Sequence, residues 1–233
     1  MNFGIITDNL QLYWQGLLLT VQLTVLSLGL GLGLAVPLSI VANSGNGLAR
    51  GLVFCYSYFF RGTPLLVQIY LIYFGSGQFA AIRDSVLWPV LSQAYWCALI
   101  AFALNTGAYT TEILRGAIKA TPRGEIEAAR SVGMSTAMMY RRIILPSAFR
   151  RALPAYGNEM IFMLQGTSLA SVITLVDLTG VARIVNSRYY SPYEAFITAG
   201  LLYMALTFTI VVLVKWLERR WFAYLRPRDG GPD

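Results

Sequence analysis

The residue with the greatest chemical potential in this sequence is an acid where acids are rarely found. Glu159 lies inside 152–173, an apolar stretch of about the length that crosses a bilayer. An ionised carboxylate facing lipid is costly, so such a group faces a bundle interior or a water-filled cavity. Three roles are open to it: meeting a cationic group of a ligand, pairing with Arg61, or sharing a hydrogen bond between helices as the neutral acid. Helical spacing sets Met163 at i+4 and Gly166 at i+7 on its face, and a glycine there leaves room for a ligand. Asn105 and Tyr109, themselves i and i+4 on a second apolar stretch, and Gln68 on a third, are the polar side chains able to form an opposite wall. A small site of this kind selects by charge and size. Arg61 precedes Gly62-Thr63-Pro64, a run that interrupts helical hydrogen bonding. Its guanidinium either stabilises that break or a subunit contact, or binds a carboxylate.

What is missing narrows the chemistry. The 233 residues include no histidine, which excludes His-ligated zinc, a Ser-His-Asp triad and a His proton shuttle. Cys55 and Cys97 both sit in apolar stretches and read as small hydrophobes rather than a disulfide scaffold. No GxxxxGK[ST] run occurs, so the chain lacks a phosphate cradle, and no catalytic residue, metal or cofactor is expected on it.

A second candidate region is the polar loop 115–151. Thr121 can cap a helix with Pro122 in its first position, and Glu125 and Glu127 complement the helix dipole. Gly133 suits a helix-ending left-handed position, and Ser135 can cap a second short helix. Leu145 precedes Pro146 and is biased away from helix, so a turn is expected there, with Ser147 capping the next span. The loop reads as helix, glycine turn, helix. A solvated basic loop, a DNA-binding helix-turn-helix and a docking element for a cytoplasmic partner share that outline. Tight tethering to spans at both ends favours docking.

The elements that must hold these residues are membrane helices. Only 12% of residues are charged, against about 25% in soluble domains, which argues against a free soluble enzyme. Five spans are expected, at about 14–42, 52–74, 91–113, 152–173 and 195–217, in one all-α integral membrane domain covering 1–233. The first is no signal peptide, since it lacks a basic leader and a small-residue cleavage pattern. Its Gly29 and Gly33 form a small-xxx-small pair suited to close helix packing. Of eighteen lysines and arginines, fourteen fall on the side of 115–151 and the C-terminal tail, three on the other, and Arg61 lies within a span. That asymmetry places the N-terminus outside and the C-terminus in the cytoplasm, and it makes the charge a topology signal rather than a nucleic-acid patch. The stretch 174–187, with Asp177, Gly180 and Arg183, is then expected outside. Five spans do not divide into two inverted halves, so a pathway needs a second subunit.

Within the loop, Glu127-Ala128-Ala129, Gly133, Ile143 and Leu145-Pro146 resemble, at the family spacing, the EAA loop of ABC importer permeases. FRGTPLLVQ at 60–68, LNTGAYTTEILRGAI at 104–118, LPAYGNE at 153–159 and TSLASVIT at 167–174 extend the resemblance over nearly the whole chain. They are similar to the polar-amino-acid permeases, M-type subunits of histidine/lysine/arginine/ornithine and octopine/nopaline systems. The resemblance implies a multi-pass protein of the bacterial inner membrane that couples to an ATPase through the seven EAA positions. It also implies a pair of ATPase subunits carrying ATP and Mg2+, a second and related permease chain, a periplasmic solute-binding protein, and a polar, cationic amino acid or opine as cargo.

Overall fold

The computed structural model describes residues 4–221, and every regular element among them is helical. Arg226 and Arg228 of the expected basic tail lie outside the described residues. The order is α1 (Gly4–Asp8), α2 (Leu10–Ala42), α3 (Gly47–Gly62), α4 (Leu65–Tyr70), α5 (Ala80–Arg83), α6 (Trp88–Leu91), α7 (Ala94–Lys119), α8 (Arg123–Ser131), α9 (Thr136–Met139), α10 (Leu145–Gly166), α11 (Leu178–Tyr189) and α12 (Pro192–Trp221). Two π turns, Leu71–Gly75 and Tyr140–Ile144, and a 3-10 turn, Thr167–Ile173, extend α4, α9 and α10.

The helix α2 is apolar all round, so hydrophobicity alone does not choose its buried side. Size does. Its buried face carries Gly16, Thr20, Thr24, Ser27, Gly31, Ala35 and Ser39, a small residue every three or four positions. Trp14, Val25 and Leu30 point outward. Lipid tails give helices no hydrophobic reason to associate, so close backbone approach of small residues takes over. The Thr24 and Ser27 hydroxyls bond back to the Thr20 and Leu23 carbonyls at 2.8 and 2.7 Å, which satisfies them without a partner helix. α7 packs on this face so closely that a Cβ on Gly31 would lie 3.0 Å from the Gly107 nitrogen. The glycines expected to pack, Gly29 and Gly33, are not against another helix of this chain: a Cβ on either would meet nothing within 4 Å. Each is two residues from Gly31, about 200° around the helix, and so faces away from α7.

Three helices, α2, α7 and α12, are long and apolar enough to cross a membrane by themselves, and four result if Thr136–Ile173 and α11, bent by 48° at a short break, form one span. The expected second span is two pieces. α3 stops at Gly62, Thr63 and Pro64 are extended, and helix resumes at Leu65. Where spans at 91–113 and 195–217 are expected, the helices run Ala94–Lys119 and Pro192–Trp221.

The expected turn at Leu145-Pro146 is absent. Leu145 is helical (φ −65°, ψ −47°), and the chain is helical without a gap from Thr136 to Ile173. The Leu145 N–H reaches back five residues to the Tyr140 carbonyl. That wider turn accommodates Pro146 where an α turn would meet its ring. At the far end Thr174 is left-handed (φ 75°) and Asp177 caps α11, accepting from the Gly180 and Thr179 nitrogens at 3.0 and 3.3 Å. Tyr203 of α12 donates to the same carboxylate at 2.9 Å, so the fully buried Asp177 ties α11 to α12.

Candidate functional site

The break after Gly62 decides which polar side chains are free. Ending α3 leaves the Phe60 and Thr63 carbonyls without helical partners. Gln68, one turn into α4, sets its amide nitrogen 2.8 Å from the Phe60 oxygen, 3.0 Å from the Thr63 oxygen and 2.8 Å from the Thr63 hydroxyl. Asn105 donates to the Phe60 oxygen and to the Gln68 amide oxygen, both at 3.0 Å. At 2% exposure, Gln68 is not part of a ligand-facing wall but the residue that closes the break. Its role escaped the sequence because an unwound turn's need for donors follows from geometry rather than from spacing. The same bonds orient Asn105. Phe60 offers only a carbonyl, so the amide nitrogen faces it, and both amide hydrogens are engaged. What Asn105 has left to give is its oxygen, an acceptor.

Asn105, Tyr109 and Glu159 do come together. They line a cavity of about 450 Å³ between α7 and α10, closed on one side by Leu65 of α4 and bordered by Asn158, Phe162 and Met163. Glu159 is 7% exposed and lies two residues beyond Gly157, where α10 closely approaches α12. There a Cβ on Gly157 would be 2.7 Å from Val214 Cγ1. The Arg61 guanidinium lies 5.3 Å from the centre of the Tyr109 ring, and Tyr109 donates to the Arg61 carbonyl at 3.4 Å. Arg61 is within electrostatic range of Glu159, yet among the described residues no ion pair joins them. Gly166 is outside the cavity. The space beside it is taken by Leu65 and Met163, whose side-chain carbons would lie 3.1 and 3.3 Å from a Cβ there. Asn158 lines the cavity and was not singled out from the sequence, although an amide in an apolar run next to an acid is itself a signal.

The loop is built as two halves around Gly133. α8 ends in paired bonds, Gly133 N–H to the Arg130 oxygen at 2.9 Å and Met134 N–H to the Ala129 oxygen at 3.1 Å, with Gly133 at φ 78°. This is the helix-ending geometry in which a residue without Cβ is least strained. Ser135 then caps α9, its hydroxyl accepting from Met138 N–H at 3.4 Å. The expected caps at Thr121 and Ser147 are not caps. Both hydroxyls accept from Arg151, at 2.8 and 2.7 Å, and the same guanidinium donates to the Ala117 carbonyl at 3.1 and 3.2 Å. Arg151 thereby bolts the end of α7 to the start of α10, a role hidden behind its contribution to the topology count. Ala129 is buried with Leu114, Ile118, Met139 and Ile144, against which Ile143 and Leu145 also pack. Glu127 and Ala128 face outward beside Val132, which is 76% exposed. Pro146 is exposed within the first turn of α10. The seven positions thus divide into an anchored inner set and an outer apolar and acidic surface.

Comparison with known proteins agrees with this architecture. Residues 28–223 match the family described as binding-protein-dependent transport system inner membrane component. The nopaline transport system permease protein of Agrobacterium fabrum is 46% identical over 213 residues, covering 91% of this chain and 88% of its own length. The histidine/lysine/arginine/ornithine transport system permease protein of Escherichia coli is 42% identical, covering 91% and 90%. A crystal structure of an amino acid ABC transporter with histidines superimposes with a TM-score of 0.83 at 35% identity, over 94% of this chain and 99% of that one. The methionine transporter in an inward-facing form shares the fold, with a TM-score of 0.72 at 16% identity over 92% and 98%. A helical chain matched over most of its length by that family model and by these permeases is a member of the binding-protein-dependent transport system inner membrane components.

Proposed function

We propose that this chain is the permease subunit of an ATP-driven importer of polar, cationic amino acids or opines in a bacterial inner membrane. It has its N-terminus outside and its C-terminus in the cytoplasm, with α3 and α4 together making the second of five spans. The carrying observation is the chemistry left in the cavity: a Glu159 carboxylate and an Asn105 whose hydrogens are already engaged, both of them acceptors. A mostly apolar cavity of this size with acceptors placed in it suits a small donor-rich cation. The names of the relatives, permeases of nopaline and of histidine/lysine/arginine/ornithine systems, support the same class. Glu127, Ala128, Ala129, Gly133, Ile143, Leu145 and Pro146 form the coupling element, with the outer surface seated on one of two ATPase subunits that bind ATP and Mg2+. A related second permease chain and a periplasmic solute-binding protein complete the complex.

Glu159→Gln tests the site, because it keeps the shape and removes the charge. Uptake of labelled arginine by the reconstituted complex falls more than uptake of a neutral amino acid, while assembly and stimulation of ATP hydrolysis by the binding protein persist. Undiminished arginine uptake would take the carboxylate charge out of the site.

A further inference from the structure

A second pocket, where α7 ends, is lined by cations. We infer that it holds the headgroup of an anionic phospholipid. It has a volume of about 440 Å³ and is formed where α2 ends, α3 begins and α7 ends, with Arg50, Arg115, Lys119 and Glu112 around it. Glu112 is committed to Arg115, with contacts of 2.6 and 2.9 Å. Arg50 and Lys119 are exposed, and neither is in an ion pair among the described residues. The pocket therefore carries two positive charges in excess. Its opening is kept clear by Gly47 and Gly51, where an added Cβ would meet nothing within 4 Å.

A free phosphate would be served by the cations alone. The pocket offers more than that. Arg50, Phe54 and Tyr58 recur at every fourth residue of α3, so a cation is followed along one helix face by two aromatic rings running toward the membrane interior. Phe54 lines the pocket itself, and Phe54 and Tyr58 are 63% and 72% exposed with rings stacked at 5.8 Å. Charge at the interface with exposed rings directly below it matches a phosphodiester with acyl chains attached. Basic pockets between membrane helices at the cytoplasmic surface are suited to such headgroups. Naming that surface cytoplasmic rests on the orientation proposed above; the binding itself does not.

The test uses the full chain in its purified complex, released from bilayers of phosphatidylglycerol and phosphatidylcholine and weighed by native mass spectrometry. The wild type retains phosphatidylglycerol in preference to phosphatidylcholine. With each interfacial cation contributing about fivefold to anionic-lipid affinity, Arg50→Ala with Lys119→Ala lowers retention about 25-fold. Gly51→Leu fills the opening without altering charge and favours helix, so it folds and also loses the lipid. Equal retention by wild type and variants, or no preference for phosphatidylglycerol, would overturn the inference. Displacement of the bound species by millimolar inorganic phosphate would overturn it too, since it would assign the pocket to a free anion. Because retention is read without transport, its failure leaves the uptake function standing.

Discussion

Gly133 offers the cleanest perturbation of the coupling element, because sterics and conformation separate there. Its φ of 78° is a left-handed angle, and a Cβ added to it would meet nothing within 4 Å. Whatever a substitution costs is therefore backbone strain. A residue other than glycine in this region costs about 1–3 kcal/mol, β-branched residues at the upper end and asparagine at the lower. Gly133→Val thus disfavours the turn by about 5- to 150-fold, and with it the two bonds of 2.9 and 3.1 Å that end α8. Loss of those bonds frees the angle between the outer surface of α8 and the anchored α9. In proteoliposomes with the full complex, ATP hydrolysis persists in Gly133→Val while uptake per ATP falls at least several-fold. Gly133→Asn, which tolerates the angle, retains most of the uptake. Normal uptake by Gly133→Val at normal membrane abundance would refute the reasoning, and so would Asn proving as damaging as Val.

Other expectations follow from the same geometry. Gln68→Leu strands the Thr63 carbonyl and one Asn105 amide hydrogen, each worth about 1–3 kcal/mol when buried without a partner, so the thermal midpoint of the detergent-solubilised chain drops sharply. Gly31→Ala forces a methyl toward the Gly107 backbone and destabilises by roughly 1–3 kcal/mol, whereas Gly29→Ala leaves the midpoint of the isolated chain unchanged; scanning fluorimetry separates them. Arg151→Lys replaces a fork that reaches Ala117, Thr121 and Ser147 with a point donor, so uptake per ATP falls while substrate affinity holds. Ser187→Cys, in a background with Cys55 and Cys97 replaced by alanine, reacts with an impermeant maleimide added outside; labelling only from the cytoplasmic face would reverse the proposed orientation.

The sequence exposed what rests on local rules and concealed what rests on packing. The glycine turn at 133, the cap at Ser135 and the interruption at 61–64 are each a matter of one residue's allowed angles or bonds, and each is found. Glu159, Asn105 and Tyr109 do share a cavity, because helical spacing fixes which side chains a helix can aim together. Gln68 and Gly166 were misread for the opposite reason. Their environment is set by other elements, the broken end of α3 and the side chain of Leu65, which no periodicity within their own helix reveals. Gly29 and Gly33 show the limit of a motif: spacing identifies a possible close approach, but only the neighbouring helix decides that Gly31 is the one used. Arg151 was legible only as a charge, since its four bonds join positions as much as 34 residues apart.

The π turn at Tyr140–Ile144 makes azimuth a property of the whole rod from Thr136 to Ile173. An α-helix turns about 100° per residue, and the π turn holds one residue more than the surrounding winding needs. The turn absorbs that surplus, so the helix beyond it keeps the rotational phase of the helix before it. Deleting a single residue there would return the turn to α winding and leave Glu159 close to its present azimuth, whereas deleting one from α10 between the turn and Glu159 would swing it about 100° around the axis, away from Asn105 and Tyr109. The aim of the Glu159 carboxylate is thus indexed, like a key in a keyway, by five residues near the start of its own helical rod.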